Sequence, residues 1–188
     1  MKNKRNPSVE EILEIQIPYL DATIEEILRT SLTFSCLERE ALTDTVILGR
    51  HIPKGTTVVF MQIGPDFYSA PFNISEGDRS QSSREAKSRV GSWDPSDMHQ
   101  FKPGRWIESC DGAEVFNPKA GPHLTFGYGR RACYGKKLAY LQIQILLVML
   151  VWNFELKKCS SELSSYRATQ KLTKYAERCY VKLAPAQW

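Results

Sequence analysis

The sequence predicts a mixed α+β chain, mostly helical, with small antiparallel β units at its periphery. Two stretches carry helical patterning. In one, Leu20, Ile24, Ile27 and Leu28 recur at helical spacing up to about Thr30, and in the other residues 135–153 are apolar almost all round. Short β-branched runs punctuated by Gly and Pro supply the strands. The 188 residues suffice for one sizeable core, and 42% apolar with 24% charged residues excludes wholesale disorder and collagen-like structure.

Taken in order, Ser8 and Glu11 have the spacing of a capping box, in which each side chain satisfies the other's orphan backbone N–H. A short helix follows and stops before Pro18, which pushes its predecessor out of helical geometry and itself suits the first turn of a second helix. Thr45–Leu48 and Thr56–Met61 then read as strands of one small antiparallel unit, with Gly49 and Pro53-Lys54-Gly55 between them. Residues 73–92 shift to Ser, Arg, Gly and acidic residues and read as an exposed loop; Glu76, Asp78 and Glu85 dilute the charge that a nucleic-acid arm would need. Phe101–Trp106 is compact, apolar and basic. The long helix from about Gly135 to Asn153 should sit in the middle of a packed core. Phe154–Cys159 and Tyr180–Leu183 read as strands.

Lys plus Arg total 25 against 21 Asp plus Glu, and the net charge of +4 is too small and too evenly spread to argue for nucleic acid. The polar start, Met1 to Pro7, has no apolar stretch of the kind a secretory signal needs. Leu138–Trp152 is fifteen residues interrupted by Gln142 and Gln144, shorter than the roughly 18 apolar residues of a membrane span, so the chain reads as soluble as written. Five cysteines, with no Cys-x-x-Cys pair and no histidine near one, exclude a disulfide framework and a zinc finger, and most should be small buried hydrophobes.

Cys133 is the exception. It directly precedes the long apolar helix, where free backbone N–H groups and the positive end of the dipole favour a thiolate, a soft metal ligand. Gly129 and Gly135 permit tight turns and close approach to something flat and bulky, Phe126 can pack against it, and Arg131 offers a fork of donors to a carboxylate. Thiolate, aromatic wall and arginine together fit a haem, whose iron and propionates all need partners.

The pattern Phe-x-x-Gly-x-Arg-x-Cys-x-Gly at Phe126, Gly129, Arg131, Cys133 and Gly135 resembles the haem-binding signature of the cytochrome P450 monooxygenases, and Ala139 also suits it. Glu26-Ile27-Leu28-Arg29 is similar to that family's Glu-x-x-Arg. Alone it would be a solvated i,i+3 ion pair worth a few tenths of a kcal/mol, on a face opposite the Leu20/Ile24/Ile27 stripe. Pro103-Gly104-Arg105-Trp106 resembles the family's Pro-x-Arg-aromatic segment, and the three occur in the family's order.

The resemblance implies a single partial P450 domain over residues 1–188, corresponding to the C-terminal, proximal portion of the fold, with the haem-binding cysteine loop at 126–135. It implies a haem-dependent monooxygenase that inserts one oxygen atom into a small organic substrate with electrons from a reductase. Cys133 would be the axial metal ligand, Phe126 and Gly127 its flanking wall, and Arg131 a propionate partner, with Arg39 a second. Glu26, Arg29 and Arg105 would be structural braces. Thr33–Leu37, and less strongly the turn Ser164–Ala168, would run past the haem towards substrate. The basic patch of Arg130, Arg131, Lys136 and Lys137 would dock an acidic redox partner.

Gly104 stands where the family commonly has Glu and Thr125 where Pro is common, which would loosen the Arg105 brace and change the lead-in to the cysteine loop. None of the eleven glycines opens the distal oxygen-activating element, and the membrane anchor of microsomal relatives does not appear. The alternative reading is therefore a truncated haem-binding module or inactive fragment without oxygenase activity.

Overall fold

The computed structural model describes residues 5–65, 67–165, 167–171 and 173–187; the polar start up to Lys4, and Tyr166 within the turn 164–168, lie outside them. Helix α1 (Val9–Glu14) carries the capping box: Glu11 N donates to Ser8 Oγ at 3.2 Å and Ser8 N to Glu11 Oε2 at 2.8 Å. Arg5 Nη1 donates to the same Glu11 oxygen at 2.8 Å, and the hydrogen bonds from Arg5 and Ser8 hold the Glu11 carboxyl down at about 2. Helix α2 (Pro18–Thr30) opens with Pro18 in its first turn.

The β residues form five separate two-stranded antiparallel ribbons. Strand β1 (Cys36–Glu40) pairs with β4 (Thr57–Met61), and β2 (Thr45–Ile47) with β3 (Arg50–Ile52). The two expected strands therefore do not pair with each other. Leu48 and Gly49 both take positive φ (47° and 75°), the turn geometry that closes β2 directly onto β3, and the 57–61 strand reaches back to β1 instead. Residues 73–92 are mostly exposed but are more than a loop: a 3-10 turn at Glu76–Asp78 leads into helix α3 (Gln81–Lys87), capped by Ser80 Oγ on Ser83 N. A 3-10 turn over Pro103–Trp106 runs into the hairpin of β5 (Ile107–Cys110) and β6 (Ala113–Phe116), closed by Asp111 and Gly112, both at positive φ.

Helix α4 (Lys136–Asn153) ends in β7 (Phe154–Lys157), which pairs with β10 (Lys182–Pro185), while β8 (Ala168–Gln170) pairs with β9 (Lys174–Ala176). The last strand is shifted two residues beyond the expected Tyr180–Leu183.

The core lies around α2. Ala22, Trp93, Met98 and Trp106 form one buried cluster, with the indoles of Trp93 and Trp106 edge to face at 4.8 Å. Gly121 is required there, since a Cβ would lie 2.4 Å from the Trp93 ring. Two expectations about burial fail. Helix α4 is not in the middle of the core: no residue of it is buried, and Leu146 is 69% exposed. Its apolar surface extends all round, but among the described residues only α1, α2 and β7 pack against it to any extent, so one side has neighbours and the rest does not. An open apolar groove lined by Ile12, Ile15, Tyr19, Leu147, Val148 and Val151 marks that seam.

The cysteines are not buried hydrophobes either; Cys36 and Cys159 are half-buried, and Cys110, Cys133 and Cys179 are exposed. Cys110 stands beside the hairpin turn and Cys179 pairs only in an isolated bridge with Ser164, positions that ribbons this narrow cannot cover. Among the described residues no helix is long and apolar enough to cross a membrane.

Candidate functional site: the cysteine loop and its buried brace

Glu26 and Arg29, one helical turn apart on α2, are 0% and 1% exposed. On the Leu20/Ile24/Ile27 stripe, Ile24 is buried as well, while Leu20 and Ile27 are half-buried. Arg29 Nε and Nη2 form a two-pronged pair with the Glu26 carboxylate, both at 2.8 Å. Nη1 donates to Phe67 O and Met98 O at 2.8 Å each, and Nη2 also to Gln100 O at 3.0 Å, so all five guanidinium N–H groups are used. Glu26 further accepts from Lys102 N (2.7 Å), Trp106 Nε1 (3.0 Å) and Arg105 Nε (3.2 Å). Burial raises the Glu26 pKa, but the bonds from Arg29, Lys102 and Trp106 and the Arg29 charge outweigh it, and the net shift is downward.

Arg105 is not loosened by Gly104. Its Nη1 meets Asp97 Oδ1 at 2.9 Å and its Nη2 donates to Asp97 O and Gln100 O, leaving its side chain 5% exposed. Asp97, which also accepts from Lys102 Nζ at 2.6 Å, takes a share of holding Arg105. Sequence reasoning missed Asp97; its spacing of eight from Arg105 is no recognisable pattern, and only the fold brings the two together.

The cysteine loop is shaped by its own backbone. Gly127 and Gly129 sit at φ 68° and 72°, conformations that favour glycine. Gly127 N bonds Leu124 O at 2.7 Å, Ala132 N bonds Gly129 O at 3.0 Å, and Cys133 N bonds Phe126 O at 2.7 Å. The Gly127 backbone approaches β1, where a Cβ on it would touch Leu37 Cδ1 at 3.5 Å. Cys133 is exposed, and a Cβ on Gly135 would lie 3.9 Å from its sulfur, so the absence of a side chain there keeps one approach to the thiol clear.

Phe126 is half-buried against Tyr140, ring centroids 5.5 Å apart, with Lys136 Nζ over both rings. Arg130, Arg131 and Lys137 are exposed and have no hydrogen-bonding or ion-pairing partner among the described residues. Arg39 is half-buried on β1, two residues along the same strand face as Leu37, and donates to Glu38 O at 2.7 Å. Among the described residues neither Arg39 nor Arg131 forms an ion pair. Thr33 and Phe34 are exposed and precede β1; the described part of the 164–168 turn is tied by the Ser164–Cys179 bridge and by Ser165 N to Arg178 O.

Thr125, in place of a proline, donates to Leu28 O at 3.1 Å and lies 2.6 Å from His123 Nε2. His123 Nδ1 is 3.0 Å from Glu25 Oε2, and Tyr140 donates to Glu25 Oε1 at 2.5 Å. Burial, and then that hydrogen bond to a carboxylate, push the Tyr140 phenol far up, which keeps it a donor. Nothing in the sequence pattern singles out this cluster.

Among the described residues no group of three or more His, Cys, Asp or Glu side chains is placed to hold a bare metal ion. The donor set suits a ligand that brings most of its own coordination: one exposed soft sulfur with a clear approach, an aromatic ring beside it, and unpaired guanidinium groups within the same loop.

The Cytochrome P450 family model matches residues 1–65 and 94–182. The chain belongs to the cytochrome P450 family. It is 42% identical to cytochrome P450 monooxygenase TRI13 of Fusarium sporotrichioides over 96% of this chain and 33% of that protein. It is 39% identical to the Hps1-dma1 cluster cytochrome P450 monooxygenase cyp3.1 of Dothistroma septosporum over 96% of this chain and 61% of that one. In fold it is similar to the crystal structure of the cytochrome P450DA heme domain, with TM-score 0.64, 20% identity, 99% of this chain and 34% of that one covered. The chain thus spans between about a third and three fifths of the length of these P450 relatives. The family is a haem-thiolate family. The internal stretch outside the family match, 66–93, includes α3 and the whole 73–92 segment.

Proposed function

We propose that this chain supplies the thiolate side of a haem-dependent monooxygenase acting on small organic substrates, with Cys133 as the residue that would hold the haem iron. The observation that carries the reading is the exposed Cys133 thiol at the head of α4, presented by a loop whose glycines leave its approach open. When bound, haem supplies the dioxygen chemistry, with a thiolate ligand pushing electron density towards iron in favour of O–O cleavage.

The chain's own residues then divide the work. Phe126 and the Gly127 backbone form the wall beside the sulfur, and the guanidinium groups of Arg131 and Arg39 are suited to carboxylate propionates. Glu26, Arg29 and Arg105 act at a distance: they fix α2 and the 97–106 segment to one another, the frame against which the cysteine loop rests. Arg130, Arg131 and Lys137 give this face a positive field for an acidic electron donor, which would raise its association rate more than its affinity. Charge reversal at Lys137 should slow reduction at low salt; a rate and salt dependence unchanged from the parent would remove that docking role. Lys136 is less clean for such a test because it lies over the Phe126 and Tyr140 rings.

The functional test is turnover of the haem-loaded chain with labelled dioxygen, a reductase and a panel of small apolar organic compounds. One labelled oxygen atom in the organic product supports the monooxygenase. Haem retained with no label transferred contradicts it in favour of a binding module.

A further inference from the structure

We propose that Glu25, His123 and Tyr140 form a clamp that positions the cysteine loop by tying both of its ends to helix α2. What the loop is positioned for rests on the haem-thiolate reading above; the clamp itself stands on geometry. Glu25 is adjacent to Glu26 on α2 and only 8% exposed, yet it serves different neighbours. One carboxylate oxygen accepts from Tyr140, in the second turn of α4, and the other lies 3.0 Å from His123 Nδ1, on the segment leading into the loop. Thr125, next to Phe126, adds a bond from that segment back to Leu28 O on α2.

Glu25 Oε1 takes a hydrogen bond from Tyr140, while Oε2 is buried without one and meets His123 Nδ1 only as a close contact, so the hydrogen bond from Thr125 to Leu28 O secures that end of the loop. Asp21, one turn earlier on α2, is a like charge and gives Glu25 no partner. Lys136 Nζ faces the same group from α4, over the Tyr140 ring.

The loop needs such a tie because residues 128–138 are all exposed and bury nothing of their own. Without the clamp its shape would rest on its local backbone hydrogen bonds and the contact of Phe126 with Tyr140. Tyr140 belongs to both sets, since its ring meets Phe126 while its hydroxyl meets Glu25. The residue that supports the wall beside the thiol is thus itself pinned to α2. These are positioning residues; none touches the thiol.

The test uses the full chain, haem-free and haem-loaded, with Tyr140→Phe and Glu25→Gln as independent variants that each remove little volume. Amide hydrogen exchange at Gly127 and Cys133 reports the loop, and exchange at Asn117, bonded to Trp106 O at 2.8 Å, reports the core. Either variant should speed exchange at Gly127 and Cys133 about tenfold while Asn117 keeps its protection. Haem-loaded variants should also show a smaller share of the red-shifted ferrous carbon monoxide band than the parent. Unchanged exchange at Gly127 and Cys133 in both variants, or acceleration at all three sites together, would overturn the clamp. If the parent itself gives no red-shifted band, the haem-thiolate reading fails, and the exchange data still decide the clamp separately.

Discussion

Helix α2 contains Asp21, Glu25, Glu26 and Arg29 among its thirteen residues and buries six of them, including three of those four charges. Helix α4 contains no acidic residue and is apolar for most of its eighteen, yet buries none. The difference lies in partners. Each charge buried in α2 is hydrogen-bonded to another segment, Glu26 and Arg29 to the 97–106 region and Glu25 through one oxygen to Tyr140 on α4. The apolar surface of α4 is complementary only to what lies along its α1, α2 and β7 side. Hydropathy reports what an element would gain from burial, and the neighbours available decide whether it is buried.

The contrast breaks most directly at Arg29. Removing its guanidinium leaves Glu26 as an uncompensated buried charge, and Arg29→Ala should cost about 4 kcal/mol. Urea unfolding measures it, and a loss below about 1 kcal/mol would show the pair to be an ordinary surface-type bridge.

Acid should find the same site. Because the folded Glu26 pKa is lowered, its contribution is complete above the ordinary carboxylate range and disappears as pH falls through the folded value. Urea midpoints followed into acid should drop more steeply for the parent than for Glu26→Gln; parallel curves would contradict the assignment.

Smaller effects sharpen the comparison. Ser8→Ala removes one side of a fully formed capping box and should cost about 1 kcal/mol, read from the same unfolding curves. Leu146→Gln, on the exposed side of α4, should change stability by no more than about 0.5 kcal/mol. A loss of the size seen for a core leucine, about 2 kcal/mol or more, would mean that this face is covered in solution.

What was legible in the sequence was local. The Ser8–Glu11 box, Pro18 in the first turn of α2, and α4 up to Asn153 each follow from chemistry within one helical turn or from unbroken periodicity. The cysteine loop was readable because its glycines, phenylalanine and cysteine lie within ten residues. Strand β1 was missed because Cys-Leu-Glu-Arg-Glu has no β-branched run, and its pairing with β4 is decided some twenty residues away. Asp97 and Glu25 were illegible for the same reason: Asp97 sits in a polar turn and Glu25 beside a more recognisable glutamate, and only tertiary packing gives either its partners.

Cys133 is the residue on which haem binding by this chain depends in the proposed function. The deciding measurement is the absorption spectrum of the haem-loaded, reduced chain under carbon monoxide, taken beside Cys133→Ala. A strongly red-shifted Soret band in the parent that is lost in the variant is the predicted result. A band at the same position in both proteins would show that the exposed thiol at the head of α4 does not ligate haem.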